Sequence, residues 1–189
     1  MGMREWRGTH ARSLRVFAGL LMLILAGVLT PASARGVAPG GTETGLPVPR
    51  FVSLKAERAN VRYGPGVGYD VKWVFQRSGL PVEVIAEFET WRKIRDWTGS
   101  EGWVHGALLS ARRTAIVAPW SGAQPVALLR RPPPAGGVRA KVQPQVVVDL
   151  RSCDGGWCAV TVRGFRGYLP QDKLWGIYPG ETLAPPSMF

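Results

Sequence analysis

The feature that most constrains the fold of this chain is a diverged internal repeat, visible when Trp91 is aligned with Trp157. Around these two tryptophans, apolar residues recur at matching distances, and the spacing slips by one residue and then recovers. The matching positions are Val82 and Val148, Val84 and Leu150, Ile94 and Val160, the triplets 102–104 and 167–169, and Leu108 and Leu174. Agreement at this many positions is hard to obtain by chance, so the chain is predicted to contain two copies of one unit.

Each copy has the pattern of a small antiparallel β-structure. Residues 81–87 largely alternate apolar and polar side chains, as a half-buried strand does. The other elements predicted in the first copy are strands at 51–62, 71–75, 91–96 and 102–104 and a 3₁₀ turn at 105–109. Between residues 51 and 178 no stretch carries the i, i+3, i+4, i+7 spacing of an amphipathic helix. The sequence therefore predicts an all-β protein built from two tandem SH3-like small β-barrels.

Two separated motifs in the first copy resemble those of a known family. The run Asn60-Val61-Arg62-Tyr63-Gly64-Pro65-Gly66 is followed by Tyr69, and the runs WRKI at 91–94 and EGWV at 101–104 come later. These residues resemble the bacterial SH3 (SH3b) family of cell-envelope proteins, and in particular a tandem subgroup that is periplasmic or secreted. The resemblance covers about residues 51–112. It implies a barrel that binds a cell-wall ligand.

The second copy departs from this pattern in its first loop. Leu129-Arg130-Arg131-Pro132-Pro133-Pro134 occupies the place of residues 61–66. The glycines that would allow a positive φ in this loop are missing, and so is the tyrosine. We therefore expect the ligand groove in the first barrel, and we expect the second barrel to serve mainly as support.

The first 34 residues have the three parts of a secretory signal peptide. A segment with four arginines precedes an apolar run at 16–29, and Ala32-Ser33-Ala34 provides the small residues needed at a cleavage site. The apolar run is shorter than the roughly 20 residues that span a bilayer core, although an uncleaved N-terminal anchor is the alternative. We expect cleavage after Ala34, no stable membrane anchor afterwards, and a periplasmic or secreted protein.

Removal of residues 1–34 leaves 20 Lys and Arg against 12 Asp and Glu, a formal net charge of +8. Such a charge favours anionic partners. Because an exported protein meets cell-wall polymers, lipopolysaccharide and phospholipid headgroups, we expect no nucleic-acid partner. The predicted parts are a signal peptide at 1–34, a flexible leader at 35–50, a first barrel at 51–112, a second, diverged barrel at 113–178 and a tail at 179–189.

The only two cysteines, Cys153 and Cys158, flank a predicted hairpin loop. In an oxidising compartment two cysteines that face each other across a hairpin form a disulfide. In the repeat alignment Glu87 and Arg92 occupy the matching positions of the first copy. We therefore expect an opposite-charge pair to close the first barrel at the place where a disulfide closes the second.

No catalytic constellation is visible in the sequence. A cysteine nucleophile would need a free thiolate and a nearby base, but the only histidines are His10, within the predicted signal peptide, and His105. A lone histidine is a poor metal site, since zinc takes three or four protein ligands, so we expect His105 to cap or solvate the short turn. The sequence predicts no catalytic residue, no metal and no cofactor.

Aromatic side chains are the best candidates for ligand contacts. Trp91 and Trp157 recur at one repeat position, so a place in the core or at the barrel edge is expected for both. By analogy with SH3-like grooves that grip extended ligands, the groove candidates are Tyr63, Tyr69, Trp97 and Trp103. The predicted function is an exported, non-catalytic module that binds a cell-envelope ligand, with peptidoglycan or its stem peptide as the ligand that the resemblance implies. The partner is thus a cell-wall polymer or an envelope protein. The alternatives are a scaffolding factor that binds an envelope protein through the same groove, and a hydrolase with an unrecognised active site.

Overall fold

A computed structural model describes residues 43–120 and 122–185, and the predicted signal peptide and the first half of the predicted leader lie outside this part. Its first sheet contains seven antiparallel strands in the order β3-β2-β6-β5-β4-β1-β7. The strands are β1 (Arg50–Leu54), β2 (Ala59–Arg62), β3 (Val71–Phe75), β4 (Pro81–Phe88), β5 (Trp91–Arg95), β6 (Glu101–His105) and β7 (Leu109–Ser110), with a 3₁₀ turn at Gly106–Leu108 before β7.

The second sheet repeats this topology. Its strands follow the order β10-β9-β13-β12-β11-β8-β14, which is the first order with every number raised by seven, and an added strand, β15, pairs with β11. The strands are β8 (Thr114–Val117), β9 (Val126–Leu129), β10 (Val138–Val142), β11 (Val147–Asp154), β12 (Trp157–Val162), β13 (Phe165–Pro170), β14 (Leu174–Trp175) and β15 (Thr182–Leu183), with a 3₁₀ turn at Gln171–Lys173. The prediction of two tandem all-β SH3-like units is confirmed. In the part of the chain that the structure describes, no helix is long and apolar enough to cross a membrane.

The repeated apolar positions are the two barrel cores. Val82, Val84 and Ile94 have no exposed surface in the first core, and Val148 and Val160 are buried to the same degree in the second. Ile94, Val148 and Val160 alternate with half-buried residues along their strands, because successive side chains of a strand point to opposite faces. In β4 the residue between Val82 and Val84 is Glu83, which is itself buried. The repeat pattern therefore marks the inward face of each barrel.

The repeated Gly-aromatic-aliphatic triplet has a steric cause. A Cβ on Gly102 would lie 2.4 Å from Cγ1 of Val61, and a Cβ on Gly167 would lie 2.6 Å from the backbone oxygen of Leu129. Both glycines therefore let β6 and β13 approach the neighbouring strand of their own barrel closely. The triplet persists in both copies because each barrel closes at this point.

Three segments differ from their predictions. The predicted strand 51–62 is two strands, β1 and β2, because residues 55–58 leave the ladder between them. The end of the predicted flexible leader is packed: Val48 lies against the first core, and the backbone N–H of Thr44 donates to the carboxylate of Glu87 (2.9 Å). The predicted loose tail is ordered as far as the structure describes it, because β15 pairs with β11 and Glu181 forms an ion pair with Arg113 (2.7 Å).

The two barrels pack directly on each other. The ring of Phe51 in β1 contacts the rings of Trp175 (5.1 Å between centroids) and Tyr178 (4.7 Å), both from the second copy. Ile116 of β8 is buried within the apolar cluster of the first barrel, and the hydroxyl of Tyr178 donates to the Glu83 carboxylate (2.9 Å). An aromatic and partly polar interface therefore joins the two units.

Candidate ligand-binding site

An exposed loop between β2 and β3 carries two of the predicted groove residues. It runs from Tyr63 to Asp70 and is closed at its base by a hydrogen bond from the Tyr63 backbone N–H to the Asp70 carbonyl (3.1 Å). Tyr63 is 65% exposed, Tyr69 50% and Val67 80%. Loops held by a rigid barrel commonly carry binding residues. We call the exposed side chains of Tyr63, Val67, Tyr69 and the adjoining Val71 the loop patch.

Gly64 is required in this loop for a reason other than the predicted one. Neither Gly64 nor Gly66 has a positive φ, so the expectation that these glycines supply left-handed backbone is wrong. A Cβ on Gly64 would instead lie 2.4 Å from ring atoms of Tyr69. The Tyr69 ring therefore packs closely against the backbone of Gly64. The side chain of Arg62 donates a 2.6 Å hydrogen bond to the Tyr69 carbonyl.

Cationic and aromatic groups surround the loop. The ammonium group of Lys72 lies 5.6 Å from the centre of the Tyr63 ring and 5.5 Å from that of Trp73, a geometry in which cation and ring attract. Trp103 is half-buried on β6, directly opposite Arg62 of β2 in the ladder. The structure thus brings Tyr63, Tyr69 and Trp103 to one region of the first barrel.

A cleft of about 310 Å³ adjoins the loop patch. The residues that line it are Arg58, Asn60 and Arg62 from β2 and the segment before it, Val67 from the loop, and Trp91, His105 and Leu108. The cleft therefore combines an aromatic surface with amide, guanidinium and imidazole groups. Such a mixture suits a ligand with both apolar and hydrogen-bonding parts.

Trp91 and His105 also line this cleft, although neither is among the groove candidates predicted from the sequence. They face each other across β5 and β6, with ring centroids 5.4 Å apart in an edge-to-face arrangement. Trp91 is 8% exposed but stands outside the apolar cluster of the first core. The sequence did contain a signal for this placement. Trp91, Lys93 and Arg95 are two residues apart along β5, so they lie on the same face of the strand, and two charged residues on that face predict that it points away from the core.

His105 also has the predicted capping role. Its Nδ1 accepts a hydrogen bond from the backbone N–H of Ala107 (3.3 Å) at the start of the 3₁₀ turn. Because Nδ1 accepts, the proton of the neutral imidazole lies on Nε2. The histidine can therefore donate one hydrogen bond from Nε2.

Trp97 is placed apart from the other groove candidates. It lies in the turn after β5, packs against the first core and approaches the Phe75 ring at 6.5 Å. Phe75 pairs with Ala59 at the end of the β2–β3 hairpin that is opposite to the loop. The structure brings three of the four candidate aromatics together and leaves Trp97 beside the core.

The predicted correspondence between ion pair and disulfide is confirmed. Cys153 and Cys158 are opposite each other in β11 and β12 and form a disulfide, with Cα atoms 4.1 Å apart. Glu87 and Arg92 are opposite each other in β4 and β5, and Oε1 of Glu87 lies 3.1 Å from Nε of Arg92. One cross-strand position is therefore closed covalently in one barrel and by charge in the other.

The ion pair belongs to a larger network than predicted. Glu87 is fully covered and also accepts from Arg50 (2.5 Å) and from the backbone and hydroxyl of Thr44 (2.9 Å each). Burial raises the pKa of Glu87, but the hydrogen bonds from Thr44 and Arg50 outweigh it, and the pKa lies below its usual value. Glu87 is therefore a charged group that ties the start of the described chain to the first barrel.

The first loop of the second barrel keeps the length of its counterpart but not its surface. Arg130–Gly137 is closed by a hydrogen bond from the Arg130 N–H to the Gly137 carbonyl (2.7 Å), as 63–70 is closed in the first barrel. Arg130 therefore matches Tyr63, one residue away from the correspondence predicted from the sequence. The left-handed residues are Gly136 and Gly137, at the end of the loop. The second loop therefore has glycines, but at its end. Arginine and proline occupy the positions at which the first loop has tyrosine and glycine.

The described residues contain no cluster of three or more His, Cys, Asp and Glu side chains that could hold a metal ion. Both cysteines of the sequence are consumed by the disulfide, so neither offers a thiolate. The side chains that line the cleft offer a ligand hydrogen bonds, aromatic contacts and positive charge.

The comparison with protein families agrees with this architecture. The family model described as bacterial SH3 domain matches twice in tandem, at residues 55–111 and 122–176. Among solved structures, the chain is similar to NlpC2 from Trichomonas vaginalis (13% identity, TM-score 0.31, covering 67% of this chain and 48% of that chain). It is also similar to NlpC1 from the same organism (13%, 0.31, 71% and 48%). The chain thus spans about half the length of these two proteins. A search of curated proteins gave no match.

Proposed function

Since the chain belongs to the bacterial SH3 domain family, we propose that it is an exported, non-catalytic module that binds the cell wall, with peptidoglycan or its stem peptide as the ligand. The observation that supports this most is the loop patch beside the cleft of the first barrel. Tyr63, Val67 and Tyr69 expose apolar surface next to Asn60, Arg62 and His105. A glycan or short peptide offers apolar faces and hydrogen-bonding groups of this kind.

The charges of the cleft favour a ligand with carboxylates. Arg58 and Arg62 line it, and no acidic side chain does. A guanidinium group binds a carboxylate with two parallel hydrogen bonds. Stem peptides carry free carboxylates, so they fit a cleft that pairs arginine with an aromatic wall.

Export is part of the same proposal. The segment predicted to be a signal peptide lies outside the described residues, and the disulfide is consistent with an oxidising compartment. An envelope protein as partner is the competing proposal, since the loop patch would serve either ligand.

Co-sedimentation with purified peptidoglycan sacculi at physiological salt tests the proposal. The double variant Tyr63→Ser, Val67→Ser removes exposed apolar surface without touching the core and is expected to reduce the bound fraction about tenfold. Phe165→Ser, at a 59% exposed aromatic of the second barrel, is the matched control and should bind as the unmodified protein does.

Three results would contradict the proposal. Absence of retention by the unmodified protein would favour an envelope-protein partner. Equal retention by the double variant would remove the loop patch from the site. Release of soluble fragments from the sacculi would show that the module is catalytic.

A further inference from the structure

A cleft on the second barrel is lined by four arginines. It has a volume of about 350 Å³, and its lining residues come from β10, β13, β12 and β11 and from the loop that follows β9. Its basic residues are Arg130, Arg139, Arg151 and Arg166, and Tyr168 forms part of one wall. All four arginines are exposed. We call this feature the arginine cleft.

The positive charge of the arginine cleft is uncompensated within the described residues. No carboxylate lines the cleft, and none of its four guanidinium groups belongs to an ion pair there. The acidic residue two positions before Arg151 on β11 is Asp149, which is already paired with Arg112. Four like charges gathered in one concavity raise the local potential and attract anions.

The first barrel has an acidic residue where the second has one of these arginines. By strand register Glu101 corresponds to Arg166, since each stands two residues before the repeated aromatic. Glu101 forms an ion pair with Lys93 (2.8 Å), and its carbonyl accepts from Lys72 (2.9 Å). In the second barrel Ala159 replaces Lys93. At these positions the first barrel therefore carries a neutral ion pair, and the second barrel carries an arginine whose positive charge has no acidic partner among the described residues.

Two of the arginines stand at β-bulges. Arg139 is the extra residue between Val138 and Ala140 in β10, and Arg151 is the extra residue of β11 between Leu150 and Ser152. Bulges redirect side chains and are common next to functional sites. The first barrel has bulges at the same two places, but they carry Lys72 and Ile85.

From these observations we infer that the arginine cleft is a binding site for a ligand with two or more adjacent phosphate groups. A guanidinium group donates paired hydrogen bonds to either a carboxylate or a phosphate. Four guanidinium groups in one cleft favour a compact ligand group that carries more than one negative charge. A diphosphate has such a group, and a single carboxylate does not. This site is separate from the loop patch. It would give a binding role to the second barrel, which the sequence predicts to serve mainly as support.

Calorimetric titration of the purified protein with inorganic diphosphate tests the site. The protein is expected to bind one diphosphate per chain. Arg166→Glu restores the acidic residue of the first barrel and should weaken binding at least about tenfold. The control is Arg77→Glu, which changes net charge equally at an exposed residue of the first barrel and should stay within about twofold of the unmodified protein. Arg139→Ala is a second variant that adds no acid and should weaken binding several-fold.

Three outcomes would overturn the inference. The first is that the unmodified protein does not bind diphosphate. The second is that Arg166→Glu and Arg77→Glu weaken binding equally, which would indicate net charge alone. The third is binding to phosphatidylglycerol vesicles without binding to diphosphate, which would indicate a membrane surface. Retained diphosphate binding by the Tyr63→Ser, Val67→Ser variant would separate this site from the proposed cell-wall site.

Discussion

The hydroxyl of Tyr178 donates a 2.9 Å hydrogen bond to the carboxylate of Glu83, a residue of the other barrel. Glu83 is buried and also accepts from Arg95 (2.9 Å), while the backbone N–H of Tyr178 donates to Glu181 (2.9 Å). A polar chain thus crosses the interface beside the ring contacts of Phe51. Because buried polar groups must find defined partners, this chain fixes how the barrels sit against each other.

Tyr178→Phe is expected to lower the free energy of unfolding by about 1 kcal/mol, since Glu83 loses one of its two partners. Burial, followed by the hydrogen bond to Glu83, raises the pKa of Tyr178 above its usual value of 10.0. The folded protein should therefore lose stability as pH rises above about 10, and the variant should lose less. Urea denaturation at pH 8 and at pH 10.5 measures both effects. Tyr168→Phe is the control, and a pH dependence unchanged in Tyr178→Phe would contradict the prediction.

Glu87→Gln is expected to destabilise the first barrel by about 2–3 kcal/mol, because Arg50 and Arg92 would keep their charges without a carboxylate. The folded pKa of Glu87 is lowered from 4.5, so its contribution is present above pH 4.5 and is lost as pH falls through the folded value. The stability of the unmodified protein should thus fall more steeply below pH 5 than that of the variant. The control Glu57→Gln, at an exposed residue, should reproduce the unmodified profile; equal profiles for Glu87→Gln would refute the role of the charge.

The repeat predicts that a disulfide can be moved between barrels. Glu87→Cys combined with Arg92→Cys places two thiols at the positions that correspond to Cys153 and Cys158, where the strands hold Cα atoms 4.1 Å apart in the second barrel. After oxidation the double variant should contain no thiol that reacts with a maleimide under denaturing conditions. Single variants at either position supply the one-thiol reference. Two reactive thiols per chain would mean that the correspondence in register does not extend to side-chain geometry.

Gly64→Ala is expected to displace the Tyr69 ring, because the new methyl group would lie 2.4 Å from it. Tyr69 is half exposed and can move outward, so we expect weaker binding to sacculi with a stability loss below about 1 kcal/mol. The matched control is Gly68→Ala in the same loop, where nothing lies within 4 Å of the added Cβ. Similar binding by the two variants would indicate that the seating of Tyr69 has no role.

Much of the fold could be predicted from spacing along the chain. The apolar positions around Trp91 and Trp157 follow from the alternation of strands, and the pairing of Cys153 with Cys158 follows from a short hairpin between them. Both depend on residues near each other in sequence. Of the groove candidates, Tyr63 and Tyr69 lie in an exposed loop that has a recognisable motif, whereas Trp97 packs against the core, and this packing depends on residues distant in sequence.

The repeated unit, its strands and the cross-strand position that Glu87 and Cys153 share can be predicted from the sequence, because these are local or periodic properties. The contact of Tyr178 with Glu83 and the meeting of four arginines in one cleft arise only in the folded chain. Strand order and register bring these side chains together, and both depend on pairing between segments that are distant in sequence. The second barrel, which has lost the aromatic loop, is therefore distinguished by a feature that only the closed barrel assembles.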